Sequence, residues 1–278
     1  MKKAAVFNDI SGFGKCSLTA ALPIISALGV QCCPIPTAVL SNQTGYPSYH
    51  CHDLTQQIGA YLAEWKKLGV QFDAILTGFI TGEEQAKIIS EGIDEIKGEN
   101  TLVVVDPVMA DDGRLYKSYD VRLCREVKRL TEKANVITPN LTELCLLAQK
   151  SYKELVSLTD SEDYLDHIAK TARRLLSSVL KTVIVTGVKK DGCIYNIIVE
   201  REDSAAIKSE YLEGSFSGTG DIFACIVTAE LAKGMSVAYA VKKASIFIEK
   251  GVRDALNNGS DRNDGIDFEK HLGILINE

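Results

Sequence analysis

Short apolar runs of strand length alternate with longer amphipathic segments along almost the whole of this 278-residue chain. The run L-V-V-V at 102–105 is continuous and mostly β-branched, as expected of a strand buried on both faces of a sheet. Residues 83–96 and 121–134 instead carry apolar side chains at helical spacing. Strands and helices that alternate in this way are joined by right-handed crossovers. The pattern therefore predicts a three-layer α/β/α fold with a mostly parallel central sheet.

The remaining predicted elements continue this alternation. Strands are predicted over 4–7, 74–76, 136–138, 182–186, 193–199 and 206–211, and helices over 19–28 and 161–178 and from positions 221 and 237. Two successive strands near 193–211 predict an antiparallel edge. No internal repeat or Pro/Gly-rich linker divides the chain, so we expect residues 1–278 to form one domain.

Charge and composition exclude several classes of partner. The formal net charge of −6 argues against nucleic acid binding. No apolar run reaches the about 18 residues of a membrane span, and the first residues lack the apolar core of a signal peptide. The eight cysteines contain no C-x-x-C pair and fit reduced, mostly buried side chains. We therefore expect a cytoplasmic protein that acts on small molecules and binds neither membranes nor nucleic acids.

Polar and glycine-containing segments follow several of the predicted strands. In open parallel sheets the ligand lies outside the carboxyl ends of the strands. A shared cleft is therefore predicted at this edge, formed by N-D-I-S-G at 8–12, T-G-F at 77–79, D-P-V at 106–108, T-P-N at 138–140 and T-G at 186–187.

The segment S-G-T-G-D-I-F-A at 217–224 carries the most chemical information, because it leads into a predicted helix. Its two glycines allow a tight backbone turn close to a ligand. The free amides of a helix N-terminus form an anion site, and Asp221 in the first turn could accept a proton from an attacking hydroxyl. A helix cap with an acidic residue in its first turn is the simpler alternative for an isolated G-x-G-D segment.

Two other nucleotide-binding patterns are excluded. The segment G-F-G-K-C-S at 12–17 lacks the spacing of the phosphate loop G-x-x-x-x-G-K-[ST]. No G-x-G-x-x-G segment follows the first predicted strand, so a dinucleotide-binding fingerprint is missing as well.

Three segments together resemble the ribokinase superfamily: G-T-G-D at 218–221, D-P-V-M at 106–109 and T-P-N-L-T-E at 138–143. They occur in the order of that superfamily, and the likeness extends from about residue 4 to about residue 253. The resemblance implies an ATP-dependent kinase in which Asp221 is the catalytic base. The backbone amides of Gly218, Thr219 and Gly220 would then hold the transferred phosphate.

Within the superfamily the chain is more similar to vitamin kinases than to sugar kinases. Residues 30–75 are interpreted as too short and too helical for the β-sheet lid of sugar kinases, so no large lid is expected. The segment S-N-Q-T-G-Y at 41–46 is similar to S-N-H-T-G-Y of pyridoxal kinases, with Gln43 in place of histidine. D-I-F-A at 221–224 also matches pyridoxal kinases, whereas D-I-S-G at 9–12 resembles hydroxymethylpyrimidine kinases.

The resemblance implies phosphorylation of the hydroxymethyl group of pyridoxal, pyridoxamine or pyridoxine in vitamin B6 salvage. A hydroxymethylpyrimidine kinase of the thiamine pathway, or a kinase for both substrates, is the alternative. A protein that binds nucleotide or vitamer without catalysis is a third possibility, although such a binder needs no base. A homodimer, Mg²⁺ and a monovalent cation are expected from the family likeness alone.

The same likeness assigns the other candidate residues. The substrate would contact Asp9, Ser11, Val39, Thr44 and Phe79, and Phe79 would stack on its ring where pyridoxal kinases usually have tyrosine. ATP would contact Asp106, Asp111, Tyr116, Asn140, Glu143, Thr186, Gly187 and Thr219. Mg²⁺ would be organised, largely through water, by Asn140, Glu143 and Asp106.

Local explanations exist for several of these residues. Asn140 and Glu143 have the spacing of a capping box, and Asp106 could be a strand-terminal residue bonded to nearby amides. The loop at 110–117 could close over the nucleotide as a flap, but its D-D-G turn needs no function.

Overall fold

A nine-stranded sheet runs through the computed structural model, which describes residues 1–276. The strands of this sheet and of one small hairpin are β1 (Lys3–Ser11), β2 (Gln31–Leu40), β3 (Cys51–Asp53), β4 (Ala74–Thr77), β5 (Leu102–Val105), β6 (Ala110–Asp111), β7 (Arg114–Leu115), β8 (Val136–Ile137), β9 (Thr182–Lys190), β10 (Cys193–Val199) and β11 (Ser204–Glu210). The helices are α1 (Ser17–Ala27), α2 (Thr55–Lys67), α3 (Glu83–Ile96), α4 (Val121–Thr131), α5 (Leu141–Ala148), α6 (Tyr152–Val156), α7 (Tyr164–Arg173), α8 (Thr219–Ala232), α9 (Val237–Asn258) and α10 (Leu272–Ile276), with a 3₁₀ turn at Glu269–His271.

The sheet has the strand order β11-β10-β9-β8-β5-β4-β1-β2-β3. The strands from β9 to β2 in this order pair in parallel, whereas β3 on one side and β10 and β11 on the other pair antiparallel. Parallel pairing requires crossover connections, and the helices supply them. The predicted three-layer α/β/α fold and its antiparallel edge near 193–211 are confirmed.

Alternate side chains of the central strands feed two separate apolar cores. In β1, Ala5 and Phe7 face the core formed with α2, α3, α4, α5 and α7. Ala4 and Val6 face the opposite core, formed with α1, α8, α9 and α10. All four side chains are fully buried, which explains why β1 reads as a continuous apolar run rather than an alternating one.

The interpretation of residues 30–75 as too short and too helical for a lid misses a long strand in this stretch. The ten residues of β2 form a strand parallel to β1, and only α2 in this stretch is helical. Pro34 and Pro36 hide the strand in the sequence because proline lacks the N–H group of a sheet ladder. The residues of β2 that pair with β3 are Ala38–Leu40, so the prolines lie where no β3 residue needs their N–H groups.

Other element boundaries also differ from the predictions. Strand β1 continues to Ser11, and β9 continues to Lys190, because both extend along a neighbouring strand beyond their apolar stretch. Helix α7 is shorter than predicted and ends at Arg173. The Ser177 hydroxyl then accepts the N–H groups of Val179 and Leu180, which turns the chain before β9.

The absence of a β-sheet lid is confirmed for the part of the chain that the structure describes, because β2 and β3 belong to the main sheet. Among residues 1–276, no helix has the length and apolar character that crossing a membrane requires.

A buried ion pair joins the two helices that carry and support the segment at 218–221. Glu230 of α8 lies 3.0 Å from the amino group of Lys243 in α9, and their side chains are 1% and 7% exposed. The other carboxylate oxygen of Glu230 lies 3.0 Å from the more exposed Lys233. Because charges are poorly solvated here, each depends on its partner.

We expect Lys243→Met to lower the free energy of unfolding by about 3 kcal/mol, because it leaves the Glu230 carboxylate buried and underpaired. Chemical denaturation measures this change. The neighbouring Lys242 is exposed, so Lys242→Met is a matched control that should shift the free energy of unfolding by less than about 0.5 kcal/mol. Equal effects of the two substitutions would contradict the assigned role of the pair.

Candidate active site

The carboxyl ends of the parallel strands meet at one edge of the sheet, as the sequence predicts. The backbone continues the ladder beyond the strands: Gly78 N–H donates to Phe7 O at 2.8 Å, and Asp106 N–H donates to Thr77 O at 2.9 Å. Asn140 forms an isolated parallel bridge with Thr186. The polar segments are therefore held in register by backbone hydrogen bonds.

Helix α8 begins at this edge, directly against the turn that follows β1. Gly218 precedes it with a φ of 81°, and a Cβ atom at this position would lie 2.2 Å from the carbonyl oxygen of Lys15. Only glycine fits such a backbone contact. The first-turn amides of α8 have no partner within the helix and form a candidate anion site beside Thr219 and the exposed Gly220.

Asp221 lies in that first turn, partly exposed to the cleft. Its Oδ1 accepts a hydrogen bond of 2.9 Å from Asn8 Nδ2. Burial, and then the charge of Asp9, raise the pKa of Asp221 to about 6, while hydrogen bonds from the Ser17 backbone and from Asn8 oppose that rise. A carboxylate with this pKa is ionised at pH 7 but is a stronger base than an ordinary aspartate.

Asp106 is the acidic neighbour of Asp221 across the cleft. Its Oδ1 accepts a hydrogen bond of 2.9 Å from the Thr138 hydroxyl, and its Oδ2 lies 3.8 Å from the place where a Cβ atom of Gly220 would be. Burial and the charge of Asp221 raise the pKa of Asp106 to about 7. Asp106 therefore lies beside the candidate anion site.

Asn140 and Glu143 form the capping box of α5. Glu143 accepts N–H groups from Met109 at 3.0 Å and Asn140 at 2.9 Å, and the Asn140 amide accepts from Glu143 N–H and donates to Ala110 O. Burial and the charge of Asp106 raise the pKa of Glu143 well above its ordinary value. The capping box, which the sequence offered as the local explanation for these two residues, is thus present in the structure.

These contacts determine how the site suits Mg²⁺. The polar atoms of Asn140 and Glu143 already have protein partners, whereas the Thr138 hydroxyl contacts only Oδ1 of Asp106 and Oδ2 faces Gly220. Among residues 1–276 no group of three His, Cys, Asp or Glu side chains has the arrangement of a metal cluster. Mg²⁺ keeps several waters and binds substrate phosphates, so the donor set fits an ion carried by a nucleotide.

Asp111 and Tyr116 lie on and just after the β6–β7 hairpin. Asp112 and Gly113 form its tight turn, with φ of 46° and 75°, and Gly113 N–H donates to the Thr142 hydroxyl at 2.9 Å. Burial raises the pKa of Tyr116, and the charges of Glu143 and Asp111 raise it further. Tyr116 is therefore close to the acidic groups, and the hairpin is attached to α5.

Thr186 and Gly187 lie within β9 rather than at its end. Thr186 N–H donates to Pro139 O at 2.9 Å, and Gly187 N–H donates to Asn196 Oδ1 at 3.0 Å. The strand changes here from parallel pairing with β8 to a stretch paired only with β10. Thr186 is thus placed beside Asn140, and the prediction that Thr186 and Gly187 end the strand is wrong because β9 continues to Lys190 along β10.

The candidate substrate residues lie on the β1–β2 side of the cleft. Asp9 is buried and accepts a hydrogen bond of 2.8 Å from the Ser11 hydroxyl, and burial raises its pKa. Val39 of β2 is 43% exposed, and Thr44 is exposed in the following loop. The Phe79 ring is partly buried and packs edge-on against Tyr119.

Gln43, which stands in place of histidine in the S-N-Q-T-G-Y segment, joins two loops of the cleft. It is buried, and its Nε2 lies 3.2 Å from the Ser217 hydroxyl and 3.1 Å from Asn263 Oδ1. Its Oε1 accepts Gly45 N–H at 2.6 Å. The amide thus joins the loop after β2 to the residue that precedes Gly218.

The sequence analysis placed Asn8 in the predicted cleft without assigning it a role, and it did not identify Ser17 as a candidate. Asn8 is 2% exposed and contacts Asp221, as described above. Ser17 starts α1 with a φ of 50°, which is unusual for a residue with a side chain. A buried amide inside an otherwise apolar strand was the available signal for Asn8, whereas no local pattern indicated the backbone conformation of Ser17.

We expect Asp106→Asn to stabilise the fold at alkaline pH. The folded pKa of Asp106 is raised from 3.8 to about 7, so its ionisation destabilises the folded state increasingly as the pH rises from 3.8 to about 7. The substitution should therefore raise Tm by about 5 °C at pH 8 and by much less at pH 5. The exposed Asp160→Asn is the control, with a shift below about 1 °C. A lower Tm of Asp106→Asn at pH 8 would exclude this effect.

Comparisons with known proteins agree with this geometry. The family model described as phosphomethylpyrimidine kinase matches residues 14–265. The pyridoxine/pyridoxal/pyridoxamine kinase of Bordetella avium (strain 197N) is 29% identical over 247 residues, which cover 85% of this chain and 79% of that protein. The hydroxymethylpyrimidine/phosphomethylpyrimidine kinase of Bacillus subtilis (strain 168) is 28% identical over 257 residues, which cover 91% and 83%.

A solved structure extends the likeness to the whole described fold. A Bacteroides thetaiotaomicron VPI-5482 protein assigned as a phosphomethylpyrimidine kinase, crystallised with pyridoxal, is 39% identical with a TM-score of 0.91. The match covers 99% of this chain and 95% of that one. The predicted likeness to vitamin kinases is confirmed. This chain is a kinase that belongs to the phosphomethylpyrimidine kinase family.

Proposed function

We propose that this protein transfers the γ-phosphoryl group of ATP to the hydroxymethyl oxygen of a vitamin B6 vitamer. The observation that carries the proposal is Asp221, a carboxylate of raised pKa in the first turn of a helix that begins with glycine. Phosphoryl transfer depends mainly on positioning and charge neutralisation, and this arrangement supplies a base next to an anion site. The kinases named for these vitamers among the relatives support the same substrate class.

In the proposed reaction Asp221 accepts the proton of the substrate hydroxyl as its oxygen attacks the terminal phosphorus. The amides of Gly218, Thr219 and Gly220 donate to the phosphoryl oxygens, where negative charge is held during transfer. ADP leaves on the far side of the phosphorus. Mg²⁺ bound with the nucleotide would neutralise phosphate charge. Asp106, Asn140 and Glu143 would hold it largely through water.

The nucleotide would lie over the β5, β8 and β9 ends, near Asp111, Tyr116, Thr186 and Gly187. The vitamer would lie on the opposite side, between Val39, Thr44 and Phe79. Asp9 would face the ring nitrogen, with Ser11 holding its carboxylate by the 2.8 Å hydrogen bond. This division leaves the hydroxymethyl group between Asp221 and the terminal phosphate, as in-line transfer requires.

We expect Asp221→Asn to reduce kcat by about 10²–10⁴-fold, because the amide cannot accept the hydroxyl proton. ADP binding should persist, since the anion site consists of backbone amides. Vitamer-dependent ATP consumption and equilibrium ADP binding measure the two effects. Retained turnover would exclude Asp221 as the base. Loss of both properties would show that the substitution damages the site as a whole.

Hydroxymethylpyrimidine is the second candidate substrate, because D-I-S-G at 9–12 resembles the pyrimidine kinases and one relative carries that name. We expect kcat/KM to be at least about 10-fold higher for pyridoxal, pyridoxamine or pyridoxine than for hydroxymethylpyrimidine. Parallel assays of ATP consumption on the four compounds measure the ratio. A preference for the pyrimidine would assign the thiamine pathway instead, and similar values would indicate a kinase for both.

We also propose that residues 1–278 act as one kinase domain, which the single nine-stranded sheet supports. From the family likeness we also propose a homodimer and a monovalent cation, and we keep the expected cytoplasmic location as a proposal. The hairpin at 110–117 is proposed as a flap over the nucleotide, since Tyr116 lies near Asp106 and Glu143.

A further inference from the structure

We propose that Asn8 is a positioning residue that fixes one carboxylate oxygen of Asp221 and ties it to the backbone that carries Phe79. This inference rests on the proposed kinase function, in which Asp221 is the base. It assigns a role in catalysis to a residue that lies in β1 and whose side chain is 2% exposed.

The orientation of the Asn8 amide is determined by its neighbours. Its Oδ1 accepts two backbone N–H groups, from Phe79 at 2.9 Å and from Asp9 at 3.0 Å. The Nδ2 group must then face Asp221 Oδ1, which lies 2.9 Å away. A flipped amide would place its carbonyl oxygen against the carboxylate and its NH₂ group against two N–H donors, so the observed orientation is the one that satisfies every group.

Gly78 leaves the space that the Asn8 side chain occupies. A Cβ atom on Gly78 would lie 2.5 Å from Asn8 Nδ2 and 2.8 Å from Asn8 Cγ, so any side chain there would displace the amide. The glycine in the T-G-F segment therefore gives the buried amide room to reach across from β1 to α8. Asn8 and Asp221 are 213 positions apart in the sequence, and this contact joins the two halves of the site directly.

The contact has two consequences for the reaction. Because Asn8 holds Oδ1 of Asp221, the carboxylate that is proposed to accept the hydroxyl proton is kept in one orientation. The same amide holds the backbone of Phe79, whose ring is proposed to stack on the vitamer. One side chain thus fixes the position of the Asp221 carboxylate relative to the Phe79 ring. A small change in this distance or angle would misalign the substrate hydroxyl with Asp221.

The charges around Asp221 explain why the donated hydrogen bond matters. The titratable groups facing it are Asp9 from β1, Cys16 from the turn before α1, Asp106 after β5, Tyr116 after the β6–β7 hairpin, and Cys225 on α8 itself. These groups are acidic or neutral. The Asn8 amide and the Ser17 backbone N–H are the donors that favour the ionised carboxylate and lower the pKa of Asp221.

The test compares the pH dependence of kcat for the wild type, Asn8→Asp and Asn8→Ser. For the wild type we expect kcat to rise with pH, and the midpoint of this rising limb should lie at about pH 6, since Asp221 must be ionised to act as base.

Asn8→Asp keeps the shape of the side chain and the oxygen that accepts both backbone N–H groups, but it places a carboxylate against Asp221. It should lower kcat at pH 7 by at least about 10-fold and move the rising limb upward by about one pH unit or more. Asn8→Ser, which shortens the side chain, should lower kcat by about 10-fold or more and move the limb in the same direction.

Thr37→Val is the matched control. The Thr37 hydroxyl donates to Phe79 O at 3.0 Å and is fully buried, but it does not contact Asp221. Its loss should disturb the Phe79 loop without moving the pH limb. A shared limb shift in all three variants would therefore identify a merely structural effect and overturn the proposal.

The remaining outcomes separate the inference from the function on which it rests. If wild type is active, Asp221→Asn is inactive, and both Asn8 variants keep kcat within about 3-fold with an unchanged limb, Asn8 has no positioning role. If wild type phosphorylates neither a B6 vitamer nor hydroxymethylpyrimidine, the proposed function itself fails. Thermal unfolding checks that each variant is folded. If Asn8→Ser does not fold, the decision rests on the isosteric Asn8→Asp.

Discussion

The contact between the start of α8 and the turn after β1 is the constraint on which the rest of the site depends. Backbone meets backbone there, since a Cβ atom on Gly218 would lie 2.2 Å from Lys15 O. The position of the anion site is therefore set by the sheet through β1 and not by flexible side chains. The buried pair of Glu230 and Lys243 holds the same helix against α9 from its other end.

This constraint concentrates acidic groups in a small volume. Asp9, Asp106, Asp221 and Glu143 are close enough that the charge of one raises the pKa of the next. The interactions that oppose these shifts are hydroxyl, amide and backbone N–H hydrogen bonds. Such a site is best matched by ligands that bring positive charge or a proton donor, such as a metal-bound nucleotide and a heterocyclic nitrogen. The proposed binding role of these carboxylates thus comes at the expense of fold stability.

The architecture could be predicted from the sequence because its signals are local. Apolar period and segment length identified the strand–helix alternation, and the short apolar strands β4 and β5 were located closely. Strand β2 was missed because Pro34 and Pro36 violate the local pattern and are tolerated only through the tertiary position of the strand. Boundaries such as those of β1 and β9 depend on pairing with neighbours, which a single segment does not reveal.

The candidate site was predictable where its residues belong to recognisable short patterns. The structure brings the segments with such patterns together, including those that contain Asp106, Glu143 and Asp221. The roles of Asn8 and Gln43 were not predictable, because their partners lie 213 and 174 positions away. An amide carries no periodic or motif signal, and its meaning arises only from the groups that it joins. Sequence patterns therefore indicated the candidate reacting groups better than the groups that hold them.

The loop between α9 and the 3₁₀ turn connects parts of the cleft that lie far apart in the sequence. Backbone carbonyls of Arg262 and Asp264 accept the N–H groups of Ser217 and Lys15, and Asn263 accepts from the Gln43 amide. Three parts of the cleft that are distant in the sequence are thus joined to one loop. A substitution that shifts this loop would therefore disturb the arrangement of the cleft without removing any candidate reacting group.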